Sequence, residues 1–264
     1  MAITNLDDLI GAAKQRIIMY KSASRTSVGS SACSVFDIAG FPGAGVLAGT
    51  STTTGVVPTD ATAGCPDISA FGGGATGYIS RIEGSNTVPC RIVLYDMLWK
   101  AGAYAFNVST SGNTPASFSS RIPGGTDYTG LELWYEQVTA GTLVQNVNVT
   151  YNDENGASSS TGTYAMPAAM ILGRMQQIPL AAGDKGIQGV TGVVGTVASA
   201  GTFNLLIMRR LGEIRIRVAN DGIIQDALMT GMPEVFADSA LRFLVVADST
   251  ATQLPELVVD IANG

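Results

Sequence analysis

The side chains able to do chemistry are few in this chain and lie far apart. Histidine is absent. That excludes Ser-His-Asp and Cys-His nucleophilic systems, His-ligated metals and imidazole acid–base work. Cys33, Cys65 and Cys90 form no C-x-x-C pair and read as three reduced thiols rather than a disulfide framework. Asp96, Asp127, Glu132 and Glu136 are the carboxylates on which an acid pair of the glycosidase kind would draw. Glu132 and Glu136 alternate with Leu133 and Tyr135, the pattern of a solvated sheet face, and nothing places two carboxylates in one cleft. The run Tyr151-Asn152-Asp153-Glu154-Asn155-Gly156 groups oxygen ligands but lacks the alternation and distal Glu of an EF-hand loop. A hairpin end on Asn155-Gly156 is expected instead. Gly72-Gly73-Gly74-Ala75-Thr76-Gly77 fits G-x-G-x-x-G in form only. A dinucleotide site needs a helix behind its glycines, and here an alternating strand pattern follows. No catalytic, cofactor or metal residue is assigned.

The one concentration of charge is Arg209-Arg210-Leu211-Gly212-Glu213-Ile214-Arg215-Ile216-Arg217. Arg215 and Arg217 share a face opposite Ile214, Ile216 and Val218. Guanidinium suits planar pairing with carboxylates, so a carboxylate of a neighbouring subunit or domain is the expected partner. Trp99 and Trp134 sit in apolar strand-like contexts and are expected to fill cores.

These residues need elements to position them, and composition narrows what those can be. Only 14% of the 264 residues are charged, 46% are hydrophobic, and 32 are Gly. Soluble domains average roughly 25% charged, so much of this surface is small and neutral or is covered by neighbours. The net charge of −6 argues against nucleic acid or an anionic membrane surface as a direct partner. No secretory signal pattern and no 18-residue apolar run occurs in the sequence.

Residues 5–21 have helical spacing in Leu6, Leu9, Ile10, Ala13 and Ile17, with Asn5 as cap and Asp7 and Asp8 in the first turn. Residues 22–77 are rich in Ser, Thr, Gly, Ala and Pro, with Phe36, Ile38 and Phe41 among scattered anchors. They read as an extended arm or a set of short strands. From residue 78 the period becomes two. Strand candidates are Tyr78–Glu83, Cys90–Leu98, Leu131–Val138, Val144–Tyr151, Gly189–Val197, Gly201–Arg209, Glu213–Val218, Leu241–Ala247 and Leu257–Ile261. The pairs 131–151 and 241–261 repeat one style about 110 residues apart, which suggests a duplication. The expected fold is mainly β: two tandem β-sandwich (jelly-roll-like) domains, 78–160 and 161–264, preceded over 1–77 by a short N-terminal helix and an extended arm.

Several phrases occur together: Leu6-Asp7-Asp8-Leu9-Ile10, Gly43-Ala44-Gly45-Val46-Leu47-Ala48-Gly49-Thr50, Phe71-Gly72-Gly73-Gly74-Ala75-Thr76-Gly77-Tyr78, Pro123-Gly124-Gly125-Thr126-Asp127-Tyr128, Pro179-Leu180-Ala181-Ala182-Gly183-Asp184 and Phe236-Ala237-Asp238-Ser239-Ala240-Leu241. With them the chain resembles virion structural proteins of tailed bacteriophages over essentially its whole length. The resemblance implies a non-enzymatic, symmetric, repeated particle component made in the bacterial host cytoplasm, and carries no site residues with it. The expected function is a capsid decoration or cement protein, a homo-oligomer with a trimer favoured, bound to the phage major capsid protein. Tail or neck placement is the alternative, and a receptor- or carbohydrate-binding module using Trp99, Trp134, Tyr135 and Tyr151 is a second. The expected interface residues are Leu6, Leu9, Ile10 and Ile17, with Phe36, Ile38 and Phe41, and the Arg215/Arg217 face.

Overall fold

The computed structural model describes residues 3–141, 143–167, 170–197 and 200–264. The chain is mainly β. It divides into two compact units: Met1–Val46, Thr59–Asp96 and Leu211–Gly264 form the first, Leu47–Pro58 and Met97–Arg210 the second. The strands Cys90–Ala105 and Thr202–Ile216 each begin in one unit and end in the other.

In the first unit, a six-stranded sheet has Pro255–Asn263 at its centre. That strand pairs antiparallel with Ala13–Lys21 on one side and Gly77–Asn86 on the other. Gly222–Gln225 extends the sheet beyond Gly77–Asn86. Leu241–Ala247 pairs with Ala32–Ser34 and with Cys90–Asp96. Period-two alternation sends Ile17 and Met19, and Leu257, Val259 and Ile261 inward, and a register shift against Asp260/Ile261 lets both Ile79 and Ile82 join them. They form one core with Ile92, Leu94, Phe243 and Val245.

The second unit holds a four-stranded sheet in the order Ser158–Ala165, Asn146–Asp153, Ile187–Gly195, Ser109–Thr110. Leu131–Thr139 pairs with Arg174–Ile178 and with Thr202–Arg209. A second core joins Trp99, Tyr104, Phe106, Tyr135, Tyr151 and Phe203. Trp99 closes over Gly55, whose φ of +64° and lack of a side chain admit the indole, and its Nε1 donates to the Thr54 carbonyl at 2.9 Å.

Three expectations give way here. The helix runs only over Leu6–Gly11, with Asn5 Oδ1 accepting from the Asp8 amide at 2.9 Å, and Ala13–Lys21 is a strand. Pairing along Pro255–Asn263 overrides the local helical spacing, and the β-branched and aromatic run Ile17-Ile18-Met19-Tyr20 suits it. Residues 22–77 are not an extended arm but carry the short strands Arg25–Thr26, Ala32–Ser34, Gly40–Phe41 and Ser51–Val56, the other reading of their sequence. Val35, Phe36, Ile38 and Ile68 are buried in the first unit, and Leu47–Pro58 belongs to the second. Nor do the compact units follow breaks at 77/78 and 160/161. Strands distant in sequence pair with one another, and Ser158–Ala165 is itself a strand.

Candidate functional site

Where alternation drives one face of a sheet into the core, it leaves the other face for solvent or a partner. On the outer face of the six-stranded sheet, Tyr20 stands opposite Phe41 on one side and Glu256 on the other. In the next row Ile18 faces Val258, Val258 faces Glu83, and Glu83 faces Ile224. Phe41 is 53% exposed, and Ile18, Tyr20 and Ile224 are also exposed.

Beside these apolar rows runs an ion-pair ladder. Arg16 donates to Asp260 through Nε at 2.8 Å and Nη2 at 3.0 Å, and Arg81 Nη1 reaches the same carboxylate at 3.4 Å. Arg81 also donates to Glu83. The Arg16 hydrogen bonds hold the Asp260 carboxyl below its usual range, against the opposing effect of burial. The four side chains carry two charges of each sign, so the ladder itself is neutral on a chain of net charge −6.

A second exposed apolar feature lies on the one-turn helix Ala227–Thr230. Asp226 caps it by accepting from the Leu228 and Met229 amides, and Gly231 closes it at φ +68°. Thr230 Oγ1 ties it to the Ile79 carbonyl at 3.1 Å. On this fixed turn Leu228 is 92% exposed, and Met229 is exposed beside it.

Behind Phe41 lies Lys21, 5% exposed, with Nζ donating to the Ile38 and Pro42 carbonyls at 3.1 and 3.3 Å. Burial lowers its ammonium to about 8, with Asp37 opposing the shift and Arg242 adding to it. The unfolded chain keeps this proton up to an ordinary lysine value near 10.5. Between those values the unfolded state binds more protons than the native state, so stability rises with pH. The unfolding free energy of the wild type relative to Lys21→Met is therefore expected to increase by about 2–3 kcal/mol from pH 7.5 to pH 10. Urea titrations at both pH values check this. Cys33 and Cys90, pushed by burial to about 11, titrate in both chains and cancel. An unchanged difference would contradict the burial of Lys21.

The expected interface residues separate into two groups. Leu6, Ile10, Phe41, Arg215 and Arg217 are exposed, and Leu9 is half-buried. Ile17, Phe36 and Ile38 are interior to the first unit and are not available to a neighbour as expected. Arg215 lies 3.8 Å from Asp248 of its own unit. Ile214 and Ile216 do point inward, but Val218 is exposed, because the strand ends at Ile216.

Other expectations resolve in the same way. Trp99, Trp134, Tyr135 and Tyr151 are all buried, so they line no shallow glycan site. Glu136 is interior as well, contrary to a solvated face, and accepts from Asn204 Nδ2 at 2.9 Å. Glu132 accepts from Trp134 Nε1, Asp96 from Ser239 Oγ and the Ala240 amide, and Asp127 from the Thr129 amide. Asp153–Gly156 turns a hairpin between Asn146–Asp153 and Ser158–Ala165, with Gly156 at φ +82°. The loop Gly72–Gly74 leads into a strand, and its Gly72 and Gly73 line an open groove of about 500 Å³ that also carries Asp7 and Asp8, the wrong charge for a phosphate. The three cysteines are buried and form no disulfide. Among the described residues, no group of three His, Cys, Asp or Glu is placed to hold a metal, and no helix is long and apolar enough to cross a membrane.

The apolar surface on Leu228 and Met229 escaped sequence reasoning. The signal was Asp226 followed by Ala-Leu-Met-Thr-Gly, a capped single turn, but nothing in the sequence says which side of so short a helix faces solvent.

No protein-family model matches the sequence, and a search of curated proteins finds no match. Among solved structures, the chain aligns with a VP2 protein variant of infectious bursal disease virus from T=1 particles, at 9% identity and TM-score 0.15, covering 95% of this chain and 78% of that one. The VP2 subviral particle of the same virus aligns at 8% identity and TM-score 0.17, covering 96% and 80%. At these values the likeness carries no argument about fold or function.

Proposed function

We propose that this chain is a non-enzymatic structural protein of a tailed-phage virion, a head decoration or cement protein that works through repeated subunit interfaces. The observation that carries this reading is the pairing of an internal chemistry with an external apolar surface. The aromatic residues and carboxylates that could have served a ligand are held by their own units, while Phe41, Tyr20, Ile18, Leu228 and Met229 stand exposed on ordered elements. The resemblance to virion proteins, the low charge and the neutral ion-pair ladder support it. An assembly subunit needs surfaces that neighbours approach without repulsion and cover with apolar contact. Each interface stabilises the assembled state by mass action, so many repeats favour the closed shell.

The finer architecture belongs to the same proposal. Each unit is a β-sandwich, and the two arose by duplication. In the second unit Leu131–Thr139 pairs on one sheet and Asn146–Asp153 on another. In the first, Leu241–Ala247 and Pro255–Asn263 divide in the same way.

Phe41→Asp and Leu228→Asp test the interface. Both side chains are mostly exposed, so folding stability is expected to change by less than about 0.5 kcal/mol. Each buried anchor lost from an interface costs about 2 kcal/mol, roughly 30-fold in affinity. Sedimentation velocity is expected to show a shift toward monomer in each variant, with an unchanged melting temperature. Unchanged assembly in both would overturn the assignment of this surface.

A further inference from the structure

The six-stranded sheet of the first unit has two open edges. Ala13–Lys21 pairs with Pro255–Asn263 on one side, but on its other side only Tyr20 and Lys21 have partners, Phe41 and Gly40. Among the described residues, no strand covers that side of residues 14–18. The loop at Ser69 is held nearby through the Gln15 side-chain amide, at 2.7 and 2.9 Å, and not by backbone pairing. At the opposite end of the sheet, Gly222–Gln225 pairs with residues 82–85 and, among the described residues, with no strand beyond. An open edge is a template for another strand, which it holds by main-chain hydrogen bonds.

The two edges complement one another. On the first, Arg16 is paired to Asp260, whereas Lys14 donates to the Ile10 and Ala12 carbonyls at 3.0 and 3.4 Å and meets no carboxylate among the described residues. The second is bounded by acid: Asp221 precedes it and Asp226 follows it, and neither meets a cation among the described residues. Apolar surface adjoins both. In the helix Leu6–Gly11, which leads into the first edge strand, Asp7, Asp8 and Gly11 line the groove beside Asn263 and Gly264. Leu6 and Ile10, one turn apart on another side of it, are 68% and 66% exposed. The turn that follows the second edge strand exposes Leu228 and Met229.

Strand direction adds an independent match. From Gly222–Gln225 through Gly77–Asn86 and Pro255–Asn263 to Ala13–Lys21, each of the three steps is antiparallel. The two edge strands therefore run in opposite directions, and a second copy set beside the first in the same orientation meets it antiparallel. We propose that a second copy of this chain lays its Gly222–Gln225 edge along residues 15–18, continuing the sheet from copy to copy. This rests on the homo-oligomer of the proposed function and names its contact. With the outer faces kept together, Gly222 stands against Ile18 and Asp226 against Lys14, clear of Phe41. The turn with Leu228 and Met229 then falls at the same end as Leu6 and Ile10 of the neighbour and covers them. Pairing of residues 14–18 with their own copy is disfavoured, because it brings Lys14 and Arg16 close to the same cations. The contact joins two different patches of one surface, so each copy offers both and the series closes as a ring.

Cross-linking tests the pairing. Gly222 has open space where a Cβ would stand and Ile18 is exposed, so a cysteine at either position leaves the unit folded. Ile18→Cys and Gly222→Cys chains are mixed, oxidised and separated on a non-reducing gel, and the linked residues are identified by mass spectrometry. The mixture is expected to give a disulfide between position 18 of one chain and position 222 of the other, and neither variant alone to form dimers. Chains lacking residues 1–11 are expected to associate about tenfold more weakly at an unchanged melting temperature. An oligomer by light scattering whose mixture yields no 18–222 link, or undiminished association of the shortened chain, overturns this contact and leaves the oligomer standing. A monomer at every concentration overturns both.

Discussion

Deletion of residues 1–21 is expected to unfold the first unit, whereas deletion of residues 1–11 leaves it folded. The helix Leu6–Gly11 buries no residue, so its loss removes little beyond exposed contacts. The strand after it is different. Ala13–Lys21 runs in register with Pro255–Asn263 from the Ala13↔Asn263 pair to the Tyr20↔Glu256 pair, and Gly40–Phe41 pairs on its other side. Ile17 and Met19 enter the core from it. Truncating one such side chain costs about 2–5 kcal/mol, and removing the strand also strands the hydrogen-bonding groups of Pro255–Asn263. Native stability is only about 5–15 kcal/mol, so the longer deletion exceeds what the unit can lose. Thermal melts followed by circular dichroism separate the outcomes. Near-wild-type melting of the 1–21 deletion would show that this segment is a dispensable arm, as its sequence suggests.

The second large effect is expected in the other unit. Phe203→Ala should destabilise it by about 4 kcal/mol, the usual scale for emptying a buried phenyl site. Phe203 is fully buried, stacks on Tyr135 at 4.7 Å between ring centroids, and meets Tyr104 at 5.4 Å and Phe106 at 6.3 Å. One truncation therefore leaves three rings without their shared partner. Tyr135 is held in turn through its hydroxyl, which donates to Gln137 Oε1 at 2.7 Å, so it is poorly placed to collapse into the space. Phe203→Leu keeps most of the volume and should cost about 1–1.5 kcal/mol. Calorimetry is expected to show a drop near 10 °C for the Ala variant and a few degrees for the Leu variant. Equal, small shifts for both would mean that the ring cluster does not organise this core.

The sequence was legible where local pattern and tertiary demand agree. Leu241–Ala247 and Leu131–Thr139 alternate or run apolar between turn residues, and the hairpin at Asn155-Gly156 follows from a turn that only a few residue types make. It misled where they conflict. Residues 13–21 fit a helical stripe and a strand alike, and a partner strand some 240 positions away decides between them. Ser158–Ala165 has the composition of a linker but pairs along Asn146–Asp153. The exposed candidates depended on burial, which local spacing does not fix: Phe41 and Phe36 look alike in sequence, yet one faces solvent and the other lies under Arg242.

The most direct test of the assembly reading is the mass of the purified protein by size exclusion with multi-angle light scattering. The reading predicts a trimer of 27.2 kDa chains, about 82 kDa, that Phe41→Asp and Leu228→Asp shift toward monomer. A wild-type mass of 27.2 kDa at every concentration would contradict it.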